Sequence, residues 1–122
     1  MGLFVTAVYA LISLPTAEVT YANAGHNPPI IFHSGTGEVE CLREHRGIAL
    51  GVIDGARVPE AMFRMSVGDY LILYTDGVTE GYSARQDEFF GDQRLYRAIA
   101  ASDASSAEDM LAGIQNSVSD FV

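Results

Sequence analysis

The hydrophobic pattern of this chain changes once, near residue 81, and this change limits the folds that the chain can adopt. Before that point, short runs of β-branched and aromatic residues alternate with turns that contain glycine or proline, which is typical of β-strands. After it, apolar residues recur every three or four positions, which is the period of an amphipathic helix. Strands followed by helices predict an α+β layered sandwich, rather than alternating βαβ units.

Six runs in the first part of the chain are predicted to be the strands of a mostly antiparallel β meander. Residues 4–12 are nearly continuous apolar sequence, so we predict a strand that is covered on both faces. In residues 18–24 the alternation predicts that Val19 and Tyr21 point inward. The other strands are predicted at residues 30–33, 39–42, 61–65 and 70–74.

Two helices are predicted in the last part of the chain. Asp92 is predicted to cap the first helix, which carries Leu95 and Ile99 at a spacing of four. Ser105 and Glu108 form a capping-box pattern at the start of the second helix. We expect this helix to pack on the sheet through one apolar stripe, formed by Met110, Leu111, Ile114, Val118 and Phe121.

Length, charge and cysteine content limit the kinds of partner and the cellular compartment that we expect for this chain. A length of 122 residues with 48% hydrophobic content suits one domain with a real core. The net charge is -9 and the basic residues are scattered, so neither nucleic acid nor an anionic membrane is an expected partner. Pro15 interrupts the apolar N-terminal run, so no signal peptide or membrane segment is predicted. Cys41 is the only cysteine, which fits a reducing compartment such as the cytoplasm.

Residues 71–81 carry the strongest candidate for chemistry. An apolar, β-prone run breaks off into Thr75, Asp76 and Gly77, which would place a fixed carboxylate at the end of a buried strand. Hard divalent cations prefer oxygen ligands of this kind. An Asp-Gly pair after a strand is also common in ordinary turns, so the residues alone leave both interpretations open.

Two longer segments carry a family resemblance. Residues 21–29 read Tyr-Ala-Asn-Ala-Gly-His-Asn-Pro-Pro, and residues 68–80 end in Tyr-Thr-Asp-Gly-Val-Thr-Glu. With shorter matches at residues 4–6, 50–51 and 90–91, the chain resembles, over essentially its whole length, the SpoIIE family of bacterial metal-dependent protein phosphatases.

The resemblance implies a four-layer αββα sandwich of the protein phosphatase 2C type. Two Mn²⁺ or Mg²⁺ ions would lie between the sheets and activate a water that hydrolyses phosphoserine or phosphothreonine. The implied substrate is a phosphorylated anti-sigma-factor antagonist protein. Asp76 matches the family's metal-binding aspartate, and Gly77 is expected to permit a tight turn beside it.

Other polar residues near the two motifs are weaker candidates. His26 and its neighbours Asn23 and Asn27 suit backbone bends and caps, or alternatively contacts to phosphate or to metal ligands. Glu80 would either orient a metal-bound water or face solvent. A structural role is predicted for the turn residues Asp54 and Asp69, whereas the histidines His33 and His45, which have no partner in a recognisable pattern, are expected to face solvent.

Residues 1–122 depart from the family pattern at two places. The family's upstream Gly-Asp-x-x-Gly-x-Gly and downstream Asp-Asp-x-Thr segments, which supply further metal ligands, are absent. We therefore expect a partial phosphatase domain that binds metal weakly and is inactive alone, because one carboxylate cannot offset two dications. Exposed sheet edges would favour a homodimer. The alternative is a non-catalytic module that binds a regulatory partner.

Overall fold

A computed structural model describes residues 2–102 and 105–122 of the chain. The described residues form two larger sheets, a small hairpin and three helices. The elements are β1 (Ala7–Ser13), β2 (Glu18–Ala24), β3 (Ile30–His33), β4 (Glu38–Cys41), β5 (Arg46–Gly47), β6 (Glu60–Arg64), β7 (Asp69–Ile72), α1 (Asp76–Thr79), β8 (Tyr82–Ser83), β9 (Glu88–Phe89), α2 (Gly91–Ala101) and α3 (Ala107–Phe121).

The first sheet has four strands built around β2. The strand β1 pairs with β2 antiparallel along its whole length, from Ala7 opposite Ala24 to Ser13 opposite Glu18. On its other side β2 pairs antiparallel with β6 and, near its end, parallel with the short β5. The predicted hairpin of the first two strands is confirmed, and so is the inward direction of Val19 and Tyr21, which are both buried.

The second sheet has three strands in the order β4, β3, β7, all antiparallel. Successive side chains of a strand point to opposite faces, so Ile30 and Phe32 share one face and Ile31 lies on the other. All three are buried, which means that both faces of this sheet are covered. The predicted boundaries of β3 are confirmed, whereas β7 ends at Ile72 and not at Tyr74.

The helices α2 and α3 cover the face of the second sheet that carries Ile30 and Phe32. Their apolar stripes and these two strand residues form one cluster with Tyr74 and Phe90. The helix residues of the cluster are Leu95, Ala98, Ile99, Met110 and Ile114. The predicted packing of an apolar helix stripe on the sheet is confirmed, except that Leu111 is exposed.

The opposite face of the second sheet is turned toward the first sheet. Glu40 pairs with Ile31 across β3 and β4, so both side chains lie on this face. Burial raises the pKa of Tyr21 in the first sheet, and the nearby carboxylates of Glu44 and Glu40 raise it further. The layers are therefore the four-stranded sheet, the three-stranded sheet and the helices, and the α+β layered prediction is confirmed.

The outer face of the first sheet has no helix on it among the described residues. Tyr9, Leu11 and Met62 lie on this face and are 50%, 66% and 65% exposed. The prediction that the first strand is covered on both faces is therefore wrong. Its continuous apolar sequence does not distinguish a strand buried by neighbours from one that presents an apolar surface.

The helix starts also differ from the predictions by one or two residues. The N-cap of α2 is Phe90, and Asp92 lies in the first turn, where its negative charge complements the helix dipole. The N-cap of α3 is Ser106, whose Oγ accepts the N–H of Asp109 at 3.1 Å. The capping box predicted on Ser105 and Glu108 is therefore wrong by one residue.

The hairpin β8–β9, which was not predicted, is held to the helices by Arg94. Its guanidinium donates to the carbonyl oxygens of Phe89 and Phe90 at 2.9 and 3.1 Å and pairs with Glu88 at 2.6 Å. It also lies 4.3 Å from the ring centre of Phe121 at the end of α3. One arginine thus connects the hairpin, α2 and α3.

In residues 2–102 and 105–122, no helix is both long enough and apolar enough to cross a lipid bilayer.

Candidate functional site

Asp76 lies four residues after the end of β7, at the start of the short helix α1. The hydroxyl of Thr75 caps this turn by accepting the N–H of Gly77 at 3.3 Å. The side chain of Asp76 is exposed. Gly77 continues the helical turn without a positive φ, so the backbone conformation of this turn does not itself require glycine.

The segment that follows β2 is folded by Asn23. The Oδ1 atom of Asn23 accepts the N–H of His26 at 2.7 Å, and its Nδ2 donates to the carbonyl oxygen of His26 at 3.1 Å. Gly25, between them, has φ +69, and a Cβ there would lie 2.8 Å from the backbone nitrogen of Ala49. Asn23 is buried with both ends of its amide satisfied, so it fixes the path of the chain.

The ring of His26 connects this segment to the approach to Asp76. Its Nε2 lies 3.0 Å from the carbonyl oxygen of Tyr74, and its Nδ1 lies 2.9 Å from Oγ1 of Thr6. A carbonyl oxygen only accepts, so Nε2 carries the proton and, in the neutral ring, Nδ1 accepts from the threonine hydroxyl. The His26 ring therefore joins the loop after β2 to the carbonyl oxygen two residues before Asp76.

A polar pocket of about 240 Å³ lies beside this connection. It is lined by Asn27, Pro28, Cys41, Arg43, Arg46, Tyr74, Asp92 and Tyr96. Burial raises the pKa of Tyr74 to about 12, the carboxylate of Asp92 adds to this shift, and a hydrogen bond with Asn27 opposes it. The Tyr74 hydroxyl therefore keeps its proton at neutral pH.

Glu80 is separate from this arrangement. Its backbone N–H donates to the carbonyl oxygen of Asp76 at 2.7 Å and closes α1, and its side chain is exposed. The structure thus brings Asn23, His26, Asn27 and the backbone before Asp76 together, whereas the carboxylates of Asp76 and Glu80 both face solvent.

The described residues do not fit a metal pair. Within residues 2–102 and 105–122 there is no group of three or more His, Cys, Asp or Glu side chains that could hold a metal ion. Two adjacent divalent ions repel each other strongly unless several anionic ligands surround them. Asp76 can therefore supply one ligand, and the other ligands are not found among the described residues.

Two of the other predictions concern residues at the edge of the second sheet. Asp69 is structural, as predicted, because its carboxylate accepts the N–H of Ser66 at 2.8 Å and lies 2.9 Å from Nδ1 of His33. The prediction that His33 faces solvent without a partner is wrong, since its other ring nitrogen lies 3.4 Å from Glu40. His45 is exposed, as predicted, and Asp54 is exposed in the loop between β5 and β6.

Sequence reasoning missed Arg43, Arg46 and Tyr96. Their only signal in the sequence is the pair of arginines three residues apart, in a chain whose seven basic residues are all arginine. Such a pair is weak evidence without the fold. In the structure, β5 and α2 bring the two arginines and Tyr96 to one pocket.

Comparison with known sequences supports a phosphatase family. The sequence profile of the family described as Stage II sporulation protein E (SpoIIE) matches residues 1–121. The chain is 32% identical over 108 residues to Protein IcfG of Synechocystis, covering 88% of this chain and 17% of IcfG. It is 28% identical over 117 residues to the phosphoserine phosphatase RsbU of Bacillus subtilis, covering 96% of this chain and 34% of RsbU. The chain thus spans about a third or less of these relatives.

Comparison with solved structures supports the same fold. The PP2C phosphatase domain of SpoIIE from Bacillus subtilis, solved with a fragment of its regulatory domain, superposes with a TM-score of 0.75 at 20% identity, covering 96% of this chain and 33% of that one. A second structure of this phosphatase domain, from Mn-presoaked material, superposes with a TM-score of 0.68 at 20% identity, covering 93% and 47%.

Proposed function

Because the chain belongs to the SpoIIE family, we propose that it forms part of a metal-dependent phosphatase that hydrolyses phosphoserine or phosphothreonine in a protein substrate. The observation that carries this proposal is the hydrogen bond between His26 and the carbonyl oxygen of Tyr74. It joins the two segments that resemble the family most closely, and it does so two residues before Asp76. A rigid connection at this place would hold Asp76 in position to bind a metal ion.

In this proposal Asp76 is a metal ligand, and the remaining ligands come from polypeptide outside residues 1–122. The support is chemical: Asp76 is exposed and able to accept a cation, and it belongs to no group of three or more possible ligand side chains among the described residues. The SpoIIE phosphatase domain studied after soaking in Mn makes Mn²⁺ the first ion to test, with Mg²⁺ the second. We therefore propose that residues 1–122 alone bind these ions weakly and turn over little substrate.

The residues that neighbour Asp76 have positioning roles in this proposal. Asn23 and His26 fix the loop after β2, and Thr75 and Gly77 form the capped turn that presents the aspartate. Glu80 closes the same turn through its backbone. None of these groups needs to act as a nucleophile.

The proposed substrate is a phosphorylated regulator of the anti-sigma-factor antagonist type, and the proposed compartment is the cytoplasm. Support for the substrate comes from the similarity to RsbU, a phosphoserine phosphatase. The compartment is supported by the single cysteine, Cys41, which cannot form an internal disulfide.

The test is Mn²⁺-dependent release of phosphate from a phosphoserine protein by the full-length protein that contains residues 1–122. We expect turnover that is abolished by a chelator and reduced at least about hundredfold by Asp76→Asn, because a lost charged ligand weakens metal affinity or activity strongly. Asp54→Asn is the matched control, since Asp54 is also exposed and also precedes a glycine.

A second candidate function is favoured by the absence of a metal-ligand group among the described residues. In that case the chain is a phosphatase-like module that binds a regulatory partner without hydrolysis. No turnover by the full-length protein, or turnover that Asp76→Asn leaves unchanged, would replace the first function with the second.

A further inference from the structure

The polar pocket defined above brings two arginines, Arg43 and Arg46, together. Arg43 follows the end of β4, and Arg46 begins β5, where it pairs with Asn23 of β2. Tyr96 reaches the same pocket from α2. Three separate parts of the fold are thus needed to assemble it, so the pocket is a product of the tertiary structure.

The charge of the pocket is opposite to that of the chain. The two guanidinium groups carry two positive charges and Asp92 carries one negative charge, which leaves one net positive charge in a chain of net charge -9. Both arginines are exposed, and in the described part of the chain no carboxylate lies within ion-pairing distance of either. A local cationic site in an acidic protein attracts a compact anion.

The hydrogen-bonding groups of the pocket are mostly donors. Arg43 gives one N–H to the hydroxyl of Tyr96 at 3.2 Å, and Arg46 gives one to the carbonyl oxygen of Gly25 at 3.0 Å. A guanidinium has several further N–H groups, arranged in a planar fork that suits two oxygens of a phosphate. The protonated hydroxyl of Tyr74 and the amide of Asn27 add neutral donors beside them.

The size and position of the pocket suit one phosphate group of a substrate. Its volume of about 240 Å³ is below the roughly 300–1,000 Å³ typical of pockets for whole small molecules. Tyr74 lines the pocket and precedes Asp76 by two residues, so their Cα atoms are at most about 7 Å apart. One wall of the pocket is therefore close to Asp76 in the fold.

We infer that the polar pocket is an anion site in which Arg43 and Arg46 bind a phosphate group of the phosphorylated substrate beside Asp76. This inference rests on the proposed phosphatase function for the identity of the ligand, but not for the binding itself. Asp92 lines the same pocket, so its negative charge opposes the anion and limits the affinity of the site.

Binding is tested by titrating the protein with inorganic phosphate while the arginine Nε–H signals are followed by NMR. We expect saturable shifts at Arg43 and Arg46. The substitutions Arg43→Gln and Arg46→Gln should each weaken binding roughly ten- to hundredfold, because each removes charge-assisted hydrogen bonds. Arg85→Gln is the control, since Arg85 is exposed in the turn between β8 and β9.

A second variant tests the sign of the electrostatic argument. Asp92→Asn removes the opposing charge and should tighten phosphate binding, a gain that damage to the fold would not produce. Thermal melting of each variant checks that it is folded. Absence of saturable binding, equal affinity for phosphate and acetate, or binding that neither arginine substitution weakens would overturn the inference.

Failure of this inference can be distinguished from failure of the proposed function. If hydrolysis of a small phosphoester depends on Mn²⁺ and Asp76 but phosphate does not bind at the arginines, only the pocket assignment is overturned. If phosphate binds at Arg43 and Arg46 but the full-length protein does not hydrolyse phosphoesters, the phosphatase proposal fails and the anion site stands.

Discussion

The two sheets of this domain have similar apolar sequences but differ in what covers their outer faces. In the three-stranded sheet, Ile30 and Phe32 are buried under α2 and α3. In the four-stranded sheet, Tyr9, Leu11 and Met62 remain largely exposed on the face that is turned away from the other sheet. Since burial of apolar surface is the main stabilising contribution, the stability of the described residues is concentrated on the helix side. The other face is a surface of the kind that marks contacts.

The largest difference in stability between the outer faces of the two sheets should appear when one leucine on each side is replaced by alanine. Leu95 of α2 is fully buried, so Leu95→Ala should lower the free energy of unfolding by about 2–5 kcal/mol. Leu11→Ala, on the exposed face, should change it by less than about 0.5 kcal/mol. Urea unfolding of both variants measures this directly. Equal losses would show that the two faces are equally important for stability.

A smaller loss of stability is expected at Arg94, the side chain that connects the hairpin β8–β9 with α2 and α3. Arg94→Lys keeps the charge but removes the planar fork that reaches the carbonyl oxygens of Phe89 and Phe90. We expect unfolding to become easier by about 1–2 kcal/mol, since charged hydrogen bonds and the contact with Phe121 are both weakened. Arg97→Lys, an exposed position in the same helix, should have no measurable effect in the same urea experiment.

The start of α3 provides a further test of the helix side. Ser106→Ala removes the acceptor of the Asp109 N–H and should cost about 1 kcal/mol of stability. Ser119→Ala, at an exposed position inside the same helix, is the control. Thermal unfolding of the two variants should separate the loss of the cap from the change of side chain. Identical melting temperatures of the two variants would show that Ser106 does not stabilise the start of α3.

His33 lies on the face of the three-stranded sheet that is turned toward the four-stranded sheet, and it should make the free energy of unfolding depend on pH. The hydrogen bond with Asp69 raises the pKa of His33 above its usual value of 6.5, and the one with Glu40 adds to this. A raised pKa means that the stabilisation is complete below pH 6.5 and is lost as the pH rises through the pKa of the folded state. Unfolding from pH 5.5 to 8.5 should show the difference between wild type and His33→Gln shrinking with pH. A difference that grows with pH would contradict the assigned pair, and His45→Gln serves as the control.

The smallest effect on stability, but a visible effect on association, is expected on the exposed face. Leu11→Lys places a charge among the apolar side chains of the four-stranded sheet and should leave the unfolding free energy nearly unchanged. If this face or the edge of β1 mediates the predicted homodimer, the variant should lower the fraction of dimer in sedimentation velocity. A dimer fraction equal to that of the wild type would exclude this face.

Most of the fold could be predicted from local sequence patterns. The two hairpins, the inward residues of β2 and the apolar stripes of the last two helices follow from periodicity and turn residues. Coverage of the first strand could not be predicted, because it depends on which element packs there and not on the strand itself. The cap of α3 was misplaced by one residue because Ser105 and Ser106 carry the same chemistry. The cap of α2 was misplaced by two residues, which is within the usual uncertainty of helix ends.

The candidate site was predictable only where a family resemblance pointed to it. Asp76 and His26 lie in the two segments that matched, but their connection through the Tyr74 carbonyl requires the fold. Arg43, Arg46 and Tyr96 lie in no such segment, and they meet only because the fold brings β5 and α2 to the same pocket. The partner of His33 was missed because Asp69 is 36 residues away in sequence.

The most direct test of the central claim is to count bound Mn²⁺ by electron paramagnetic resonance in the full-length protein and its Asp76→Asn variant. Asp76 is proposed to be one ligand of a metal pair that residues 2–102 and 105–122 do not complete. We therefore expect about two ions per molecule in the full-length protein, a clear loss in Asp76→Asn but not in Asp54→Asn, and only weak binding by residues 1–122 alone. Equal Mn²⁺ binding by the full-length protein and its Asp76→Asn variant would contradict the account.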